Sequence, residues 1–324
     1  MNVMQRPGTV ELAADMPEYI IDTDSTITFE VQFSGSKILS EEYVPDAAYQ
    51  VRIRKLGRFC AKALWGIWPE GNTTYQQHLS GTFSFLINGE KDADTYVLFS
   101  RLTTKKKAES PGVLSVISEK VTRPGVPEYA SFFLSSGQAV NVTVTDMSGL
   151  VTAETLYTHV GENMVCSLDV SYDRIKKLFP DTDFNHYTVE DLMFHVDRTA
   201  YAERFIFRFL NMFDVPEIVC AVGSMVLKGA DESETGFMWG VERKFVVNPS
   251  DEFTVNSGVI FRQSDYRLWR DFLGAQQAQI LIDGSWYDII ITNQSYERDF
   301  RKNILKAVEF SFCFADPDNN RILP

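Results

Sequence analysis

The sequence predicts a mainly β protein, in which two tandem β-sandwich domains precede a C-terminal antiparallel β domain that carries one short helix. Two observations lead to this fold class. The chain of 324 residues contains 24 Phe and 13 Tyr, and aromatic side chains fit the half-buried pleated surface of a sheet. Short segments also alternate between apolar and polar residues and are separated by turn residues, which is the pattern of strands with one buried face.

Residues 1–110 are predicted to form the first β-sandwich. The predicted strands are residues 27–33, 49–54, 82–87 and 96–99. The third strand runs into Asn88-Gly89, a pair that favours the positive φ angles of a tight hairpin turn. Short strands at this spacing are typical of an immunoglobulin- or fibronectin-like sandwich. The charged and Pro-Gly-containing residues 105–112 then indicate a domain boundary.

Residues 111–210 are predicted to form a second β-sandwich-like domain. Its predicted strands are residues 139–145, 164–170 and 204–210. Between the second and third of these, Ser171 is a candidate N-cap for a short helix at residues 172–179, which Pro180 ends.

Residues 211–324 are predicted to form the C-terminal α+β module, which is mostly antiparallel β. Its predicted strands are residues 218–222, 244–247 and 308–316, together with a hairpin at 279–291 that turns at Asp283-Gly284. The predicted helix is residues 265–273, where Tyr266, Trp269 and Phe272 recur at helical spacing and should cover the sheet.

The charge and cysteine content exclude several classes of protein. A net charge of −13 repels phosphate backbones, so we expect no nucleic-acid partner. The four cysteines are widely separated, which predicts buried free thiols in a reducing compartment. No apolar run reaches the length of a membrane span and no signal peptide is recognisable at the N-terminus, so we expect no membrane association.

The sequence contains few groups for catalysis. The nucleophile-elbow, phosphate-loop, dinucleotide and zinc-protease motifs are absent, and there are four histidines. Asp181, Asp183 and His186 form the best metal candidate, but a polar turn after Pro180 explains them better. We therefore predict no catalytic, cofactor or metal site and a protein that is not an enzyme, although a hydrolase with an unrecognised carboxylate pair is a third possibility.

Trp65 and Trp68 are the candidate contact residues for a ligand or partner. Two nearby indoles can stack on a sugar, but packing of one in the core and of the other in a loop explains them at least as well. By the same reasoning Trp239, Trp269 and Trp286 are predicted to pack in the core or between domains.

The chain resembles a family of phage and prophage proteins from gut Bacteroidetes that are encoded among tail morphogenesis genes. The features that carry the resemblance are residues 38–47, the Arg-Phe-Leu-Asn-Met-Phe segment 208–213, Trp269 with Phe272, Asp283-Gly284 and residues 310–316. Asp214 departs from the pattern, since relatives have Gly there.

The resemblance implies a non-enzymatic virion structural protein that is tail- or baseplate-associated. Its partners would be other tail proteins or further copies of itself, and it would be assembled into the virion in the host cytoplasm. The alternative from the residues themselves is a carbohydrate- or surface-binding β-sandwich protein of the adhesin kind, which Trp65 and Trp68 would serve.

Overall fold

The computed structural model describes residues 1–104, 112–293 and 306–321. The first domain contains nine strands, one α-helix and a 3-10 helix at Ala13–Asp15. Its elements are β1 (Asn2–Gln5), β2 (Val10–Leu12), β3 (Tyr19–Asp22), β4 (Ile27–Phe33), β5 (Ser36–Tyr43), β6 (Gln50–Ile53), α1 (Leu56–Ala61), β7 (Thr73–Tyr75), β8 (Ser80–Ile87) and β9 (Glu90–Leu98).

The first domain packs a three-stranded sheet, β1-β3-β6, against a five-stranded sheet, β2-β9-β8-β4-β5. Tyr19 and Phe29 meet edge to face at 5.1 Å in the core between the two sheets. The four predicted strands are confirmed, and Asn88 and Gly89 have φ angles of 52° and 80° as the hairpin requires. Helix α1 was not predicted from the sequence.

The second domain repeats the same succession of elements. They are β10 (Gly112–Val113), β11 (Glu119–Thr122), β12 (Tyr129–Leu134), β13 (Ala139–Asp146), β14 (Val151–Thr158), β15 (Met164–Asp169), α2 (Tyr172–Leu178), β16 (Phe184–Val189) and β17 (Leu192–Val196). The sheets are β10-β12-β15-β7 and β11-β17-β16-β13-β14. Ser171 is the N-cap residue of α2 as predicted, but its side chain makes no capping hydrogen bond.

Both domains have the strand order of an immunoglobulin-like sandwich. One sheet follows the order A-B-E and the other follows G-F-C-C′, with a short first-strand segment, β2 or β11, running parallel to the last strand. In the second domain the buried Tyr187 donates its hydroxyl to the carbonyl oxygen of Val170 at 2.6 Å, a contact similar to the tyrosine corner of this fold. The predicted tandem of β-sandwiches is confirmed.

One strand of the second sandwich comes from the first domain. In immunoglobulin domains strand D lies beside strand E, and the neighbour of β15 in that position is β7, from the connection between β6 and β8 of the first domain. Three residue pairs join them, from Cys166 opposite Tyr75 to Leu168 opposite Thr73. The two sandwiches therefore share backbone hydrogen bonds.

The third domain is one antiparallel sheet of seven strands covered by a helix. Its elements are β18 (Phe205–Leu210), β19 (Pro216–Ala221), β20 (Met225–Met238), β21 (Val241–Asn256), α3 (Gln263–Leu273), β22 (Ala278–Ile282), β23 (Ser285–Asn293), β24 (Glu309–Phe314) and a 3-10 helix at Pro317–Arg321. The strand order is β19-β18-β22-β23-β24-β21-β20. Helix α3 packs on it through Phe272, whose ring lies 5.6 Å from Phe207 and 5.1 Å from Phe310.

One predicted domain boundary needs correction, and so does the predicted burial of two cysteines. Residues 205–210 were assigned to the second domain, but β18 pairs with β19 and β22, so the boundary lies between Val196 and Phe205. The boundary predicted at residues 105–112 falls almost entirely outside the described residues.

All four thiols are free, yet only Cys60 and Cys166 are buried, because Cys220 and Cys313 lie on partly exposed strand faces.

The second and third domains share one contiguous hydrophobic core, which includes Phe132 and Phe194 of the sandwich and Phe207 and Phe310 of the sheet. The first domain has its own core. A third cluster joins it to the others through Leu12 and Phe133, among other residues.

Candidate functional site

The most prominent surface feature is a long hairpin that projects from the third sheet. Strands β20 and β21 pair from Met225 opposite Val255 to Met238 opposite Val241, whereas β21 pairs with β24 only at residues 253–256. We call residues 228–252 the arm. With a rise of about 3.4 Å per residue, the arm extends on the order of 35 Å as a two-stranded ribbon.

The end of the arm is a tight turn that exposes aromatic side chains. Trp239 and Gly240 have φ angles of 58° and 75°, which two-residue hairpin turns require. Trp239 is 93% exposed, Phe237 is 78% exposed and Phe245 is 59% exposed. The prediction that Trp239 packs in the core or between domains is therefore wrong, because the turn holds its indole in solvent.

One glycine on the arm makes room for an aromatic ring. A Cβ atom at Gly236 would lie 2.0 Å from the ring of Phe245, so only glycine allows that ring to lie across β20. Phe245 is also the extra residue of a β-bulge, since Glu234 pairs with Val246 and Thr235 with Lys244. The bulge and Gly236 thus fix the position of the exposed Phe245 ring on the arm.

The two candidate contact residues Trp65 and Trp68 are placed in different environments. Trp65 is 51% exposed and stacks on the His78 ring at 4.5 Å, beside a shallow cavity of 520 Å³ that Trp68 does not line. Trp68 is half-buried against the third domain, with the Arg208 guanidinium 4.7 Å from its ring centre. The two indoles do not line one cavity.

Arg208 sits between two tryptophans at the contact of the first and third domains. Its guanidinium lies 4.3 Å from the ring centre of Trp286 as well as over Trp68. It also donates a hydrogen bond to the side-chain oxygen of Gln279. Burial lowers the pKa of Arg208 to about 10, so the guanidinium stays charged at neutral pH and the two π faces replace part of its hydration.

A turn at residues 211–215 also lies at this contact. We refer to this turn and the stacked Trp68, Arg208 and Trp286 together as the joint. The fully buried Asn211 accepts a hydrogen bond from the Phe213 amide at 2.8 Å and donates to the Leu114 carbonyl and to Glu217. Asp214 has a φ angle of 59°, a left-handed conformation that glycine adopts most readily.

The joint brings the backbones of two domains into direct contact. The Asp214 carboxylate accepts the Gly66 amide at 2.7 Å, and a Cβ atom at Gly66 would lie 1.7 Å from the Asp214 carbonyl oxygen. Phe213 is fully buried in the cluster that joins the three domains. The joint is therefore a packing contact.

A cavity of 390 Å³ lies between the second sandwich and the third domain. Most of its charged side chains are engaged by neighbouring groups: Arg123 pairs with Asp197 at 3.0 Å, and His195 and Arg262 both contact Glu119. Asp265 accepts the Val121 amide at 3.1 Å. Ligand pockets of this volume usually offer a few polar groups that await a partner, and here most of the charged groups already have one.

A buried ion pair lies beside this cavity. The Lys120 ammonium is 2.6 Å from the Glu128 carboxylate, and both side chains are almost completely buried. Burial raises the pKa of Glu128 to about 7, against the opposing effect of Lys120. Lys120 also donates to the Ile218 carbonyl of β19 at 3.0 Å, so the pair links the second and third domains.

The residues considered as a metal site are engaged in other contacts. Asp183 forms an ion pair with Arg198 at 2.7 Å, which lowers the pKa of the carboxyl. The ring of His186 faces that of His195 at 6.3 Å. In the described parts of the chain, no group of three histidine, cysteine or acidic side chains is arranged to hold a metal ion.

Comparisons with known proteins add little about function. No family model and no curated protein matches the chain. One solved structure that it is similar to is the I9–I11 tandem of titin, with 7% identity over 78% of this chain and 93% of that one, at a TM-score of 0.19. A TM-score this low carries no argument about fold or function. Within the described residues, no helix is both long enough and apolar enough to cross a membrane.

Proposed function

We propose that this chain is a non-enzymatic structural protein that acts by assembling with other protein subunits. Following its resemblance to the phage and prophage family, we further propose that it is a tail- or baseplate-associated component of a virion. The observation that supports the proposal is the arm, with its exposed aromatic end. The third domain carries the arm, and its core is continuous with that of the second sandwich.

The physical argument is that the arm is poorly supported by the rest of the chain. A two-stranded hairpin is at best marginally stable in water without a third strand or a covering layer. The arm nevertheless exposes Phe237, Trp239 and Phe245. Large exposed apolar side chains gathered in one place are typical of protein contact surfaces, and aromatic residues are enriched at the centres of such interfaces.

The size of the aromatic end is also appropriate for a protein partner. A large aromatic side chain buries about 150–250 Å², so three of them would account for more than half of the roughly 800 Å² that each partner buries in a standard interface. The strand edges of the arm would supply the remainder.

The carbohydrate- or surface-binding alternative has less support. Sugar recognition by stacking needs an exposed aromatic face, and Trp65 offers one beside a shallow cavity. Trp68 is engaged with Arg208 and does not extend that face. An enzymatic function has the weakest basis, since most of the charged side chains around the 390 Å³ cavity already have partners.

The proposal is tested on particles purified from the bacterium that carries the gene, after prophage induction. We expect antibodies against the chain to label phage tails in electron micrographs, and the purified chain to bind tail particles in sedimentation assays. A variant in which residues 229–251 are replaced by Asn-Gly should lose binding. The control Trp65→Ala should bind like the wild type, and binding lost in that variant would favour the carbohydrate-binding alternative. A chain found only in the soluble fraction, with no labelled tails, would refute the virion role.

A further inference from the structure

Several of the sheet edges in the described part of the chain are short or covered by a side chain. Strands β1 and β10 are four and two residues long, so they offer little to pair with. The Asp265 carboxylate accepts the Val121 amide of edge strand β11 at 3.1 Å, and Lys120 covers the Ile218 carbonyl of edge strand β19. Short strands and charged side chains at an edge discourage pairing with another chain.

Strand β20 has neither form of protection. At 14 residues it is the longest edge strand in the described part of the chain. It contains no proline and one lysine, and the bulge of the arm lies on β21, so the β20 backbone runs regularly along its outer edge. Among the described residues no strand pairs with that edge. A long regular edge of this kind is a template for another strand.

We propose that the outer edge of β20 pairs antiparallel with β20 of a second copy of this chain, around a two-fold axis. The inference rests on the proposed function, because it identifies the partner of the arm. An edge strand is a natural place for such a contact, since a two-fold axis perpendicular to the sheet matches each backbone donor with an acceptor of the partner strand.

The order of residues along β20 favours this self-pairing. Its first residues, Met225, Val226 and Leu227, and its last, Phe237 and Met238, are apolar, and the residues between them are mostly polar or small. Antiparallel pairing of two identical strands lays the beginning of each strand beside the end of the other. Apolar residues therefore meet apolar residues at both ends, and polar residues meet in the middle.

One register matches the apolar residues at both ends of the strand. When the two-fold axis passes beside residue 232, Leu227 is opposite Phe237 of the second copy and Val226 is opposite Met238. The exposed Lys228 then lies diagonally across from the exposed Glu234, at a separation that long side chains bridge. Symmetry gives each of these contacts twice.

The aromatic side chains supply about half of the area that a standard interface buries. Leu227 and Phe237 are 48% and 78% exposed in the single chain. The aromatic rings of Phe237 and Trp239 alone would bury on the order of 300–500 Å² per copy, against about 800 Å² per partner in a standard interface. The backbone hydrogen bonds of a 14-residue strand pair add directionality to this contact.

The experiment measures self-association of the full chain by sedimentation equilibrium and by light scattering after size-exclusion chromatography. We expect the wild type to dimerise, and Leu227→Lys or Phe237→Lys to raise the dimer dissociation constant at least about 100-fold, because each change places two charges in an apolar contact. Phe245→Lys is the matched control. It alters another exposed aromatic residue of the same arm, but one on β21, and should leave the dimer intact.

A charge exchange tests the register. Lys228→Glu and Glu234→Lys should each weaken the dimer about tenfold, since like charges then face each other twice. The double variant should restore wild-type affinity because the pair is re-formed with its signs reversed. Circular dichroism and thermal unfolding of each variant check that these exposed substitutions leave the fold unchanged.

Several outcomes would overturn the inference. They are a wild type that stays monomeric at about 100 μM, a dimer weakened as much by Phe245→Lys as by Phe237→Lys, or a double charge variant that fails to recover. Binding to phosphatidylcholine–phosphatidylglycerol vesicles that Trp239→Ser abolishes, in a monomeric protein, would assign the arm to a membrane instead. A monomeric chain that still binds tail particles through its arm would refute the self-pairing while leaving the proposed function in place.

Discussion

The joint and the arm use the same kinds of side chain in opposite environments. At the joint, Trp68 and Trp286 enclose Arg208, and Asn211 satisfies three neighbouring groups. On the arm, Trp239 is almost fully exposed at the end of a ribbon. The comparison indicates two uses of the aromatic residues in this chain: one set holds the domains together, and the other is available to a partner. Substitutions at the joint should therefore reduce stability, and substitutions on the arm should affect association.

At the joint, the largest effect is expected for Gly66→Ala. The added Cβ would lie 1.7 Å from the Asp214 carbonyl oxygen, and since both are constrained by backbone, the first and third domains must move apart. We expect a loss of about 3 kcal/mol in the free energy of unfolding, measured by urea denaturation. In the control, Gly274→Ala, the nearest atom is 3.7 Å away and the change should be small. Equal stability of the two variants would mean that the joint is not a tight contact.

Asn211→Ala should follow, with a loss of about 2 kcal/mol. The substitution leaves the Phe213 amide and the Leu114 carbonyl without their partner in a fully buried place, and it removes the donor to Glu217. Thermal and urea unfolding measure the loss. Asn185→Ala on the exposed face of β16 is the control, and it should change stability by less than about 0.5 kcal/mol. A similar result for both variants would contradict a structural role for Asn211.

Asp271→Asn should change how stability depends on pH. Asp271 accepts the Met212 amide beside the joint, and burial, with a further contribution from Glu217, raises the pKa of Asp271 from 3.8 to about 6. A carboxyl with a raised pKa in the folded state contributes stability below its unfolded pKa, and this contribution is lost as pH rises through the folded pKa.

The wild type should therefore lose on the order of 2 kcal/mol through this group between about pH 4 and pH 7. The Asn variant keeps the amide acceptor, so it should lack this loss and be more stable than the wild type at pH 7.5. Glu128, with its pKa of about 7, contributes a second decrease that both proteins retain. Urea denaturation at a series of pH values gives the two curves, and parallel curves would rule out titration of Asp271 in this range.

The smallest effect on stability is expected for Trp239→Ser, within about 0.5 kcal/mol, because the indole makes few contacts in the single chain. Trp269→Ser is the contrast, since Trp269 is buried against Phe272 and Phe310 and its loss should cost about 3–5 kcal/mol. Unfolding of dilute, monomeric protein gives both values. A large loss for Trp239→Ser under these conditions would show that the arm supports the fold itself.

The sequence predicted local structure better than the arrangement of the strands. Alternation located β4, β8 and β13, and helical spacing located α3, because these patterns directly reflect which side chains face the core. The pairing of β7 with the second sandwich was not predicted, since nothing in the sequence of Thr73–Tyr75 indicates that its partner is the distant strand β15. The boundary near residue 210 was misplaced because β18 has the same alternating pattern whichever sheet it joins.

The arm was missed for a different physical reason. Only residues 244–247 were recognised as strand, and the middle of β20 resembles a loop because its sequence is mostly polar and contains two glycines. Trp239-Gly240 could have indicated the turn, since glycine after a residue that tolerates positive φ is a hairpin signal. Trp239 was assigned to the interior because large aromatic residues usually are buried.

The pairing of β7, a strand from the first domain, with β15 of the second has a consequence for the order of folding. The ribosome releases β7 about 90 residues before β15, so the first sandwich can present Thr73–Tyr75 as a ready-made template when β15 emerges. The second sandwich produced alone would expose the edge of β15 to other chains. The second sandwich therefore depends on the first domain for one of its strands and is not an independent module for recombination.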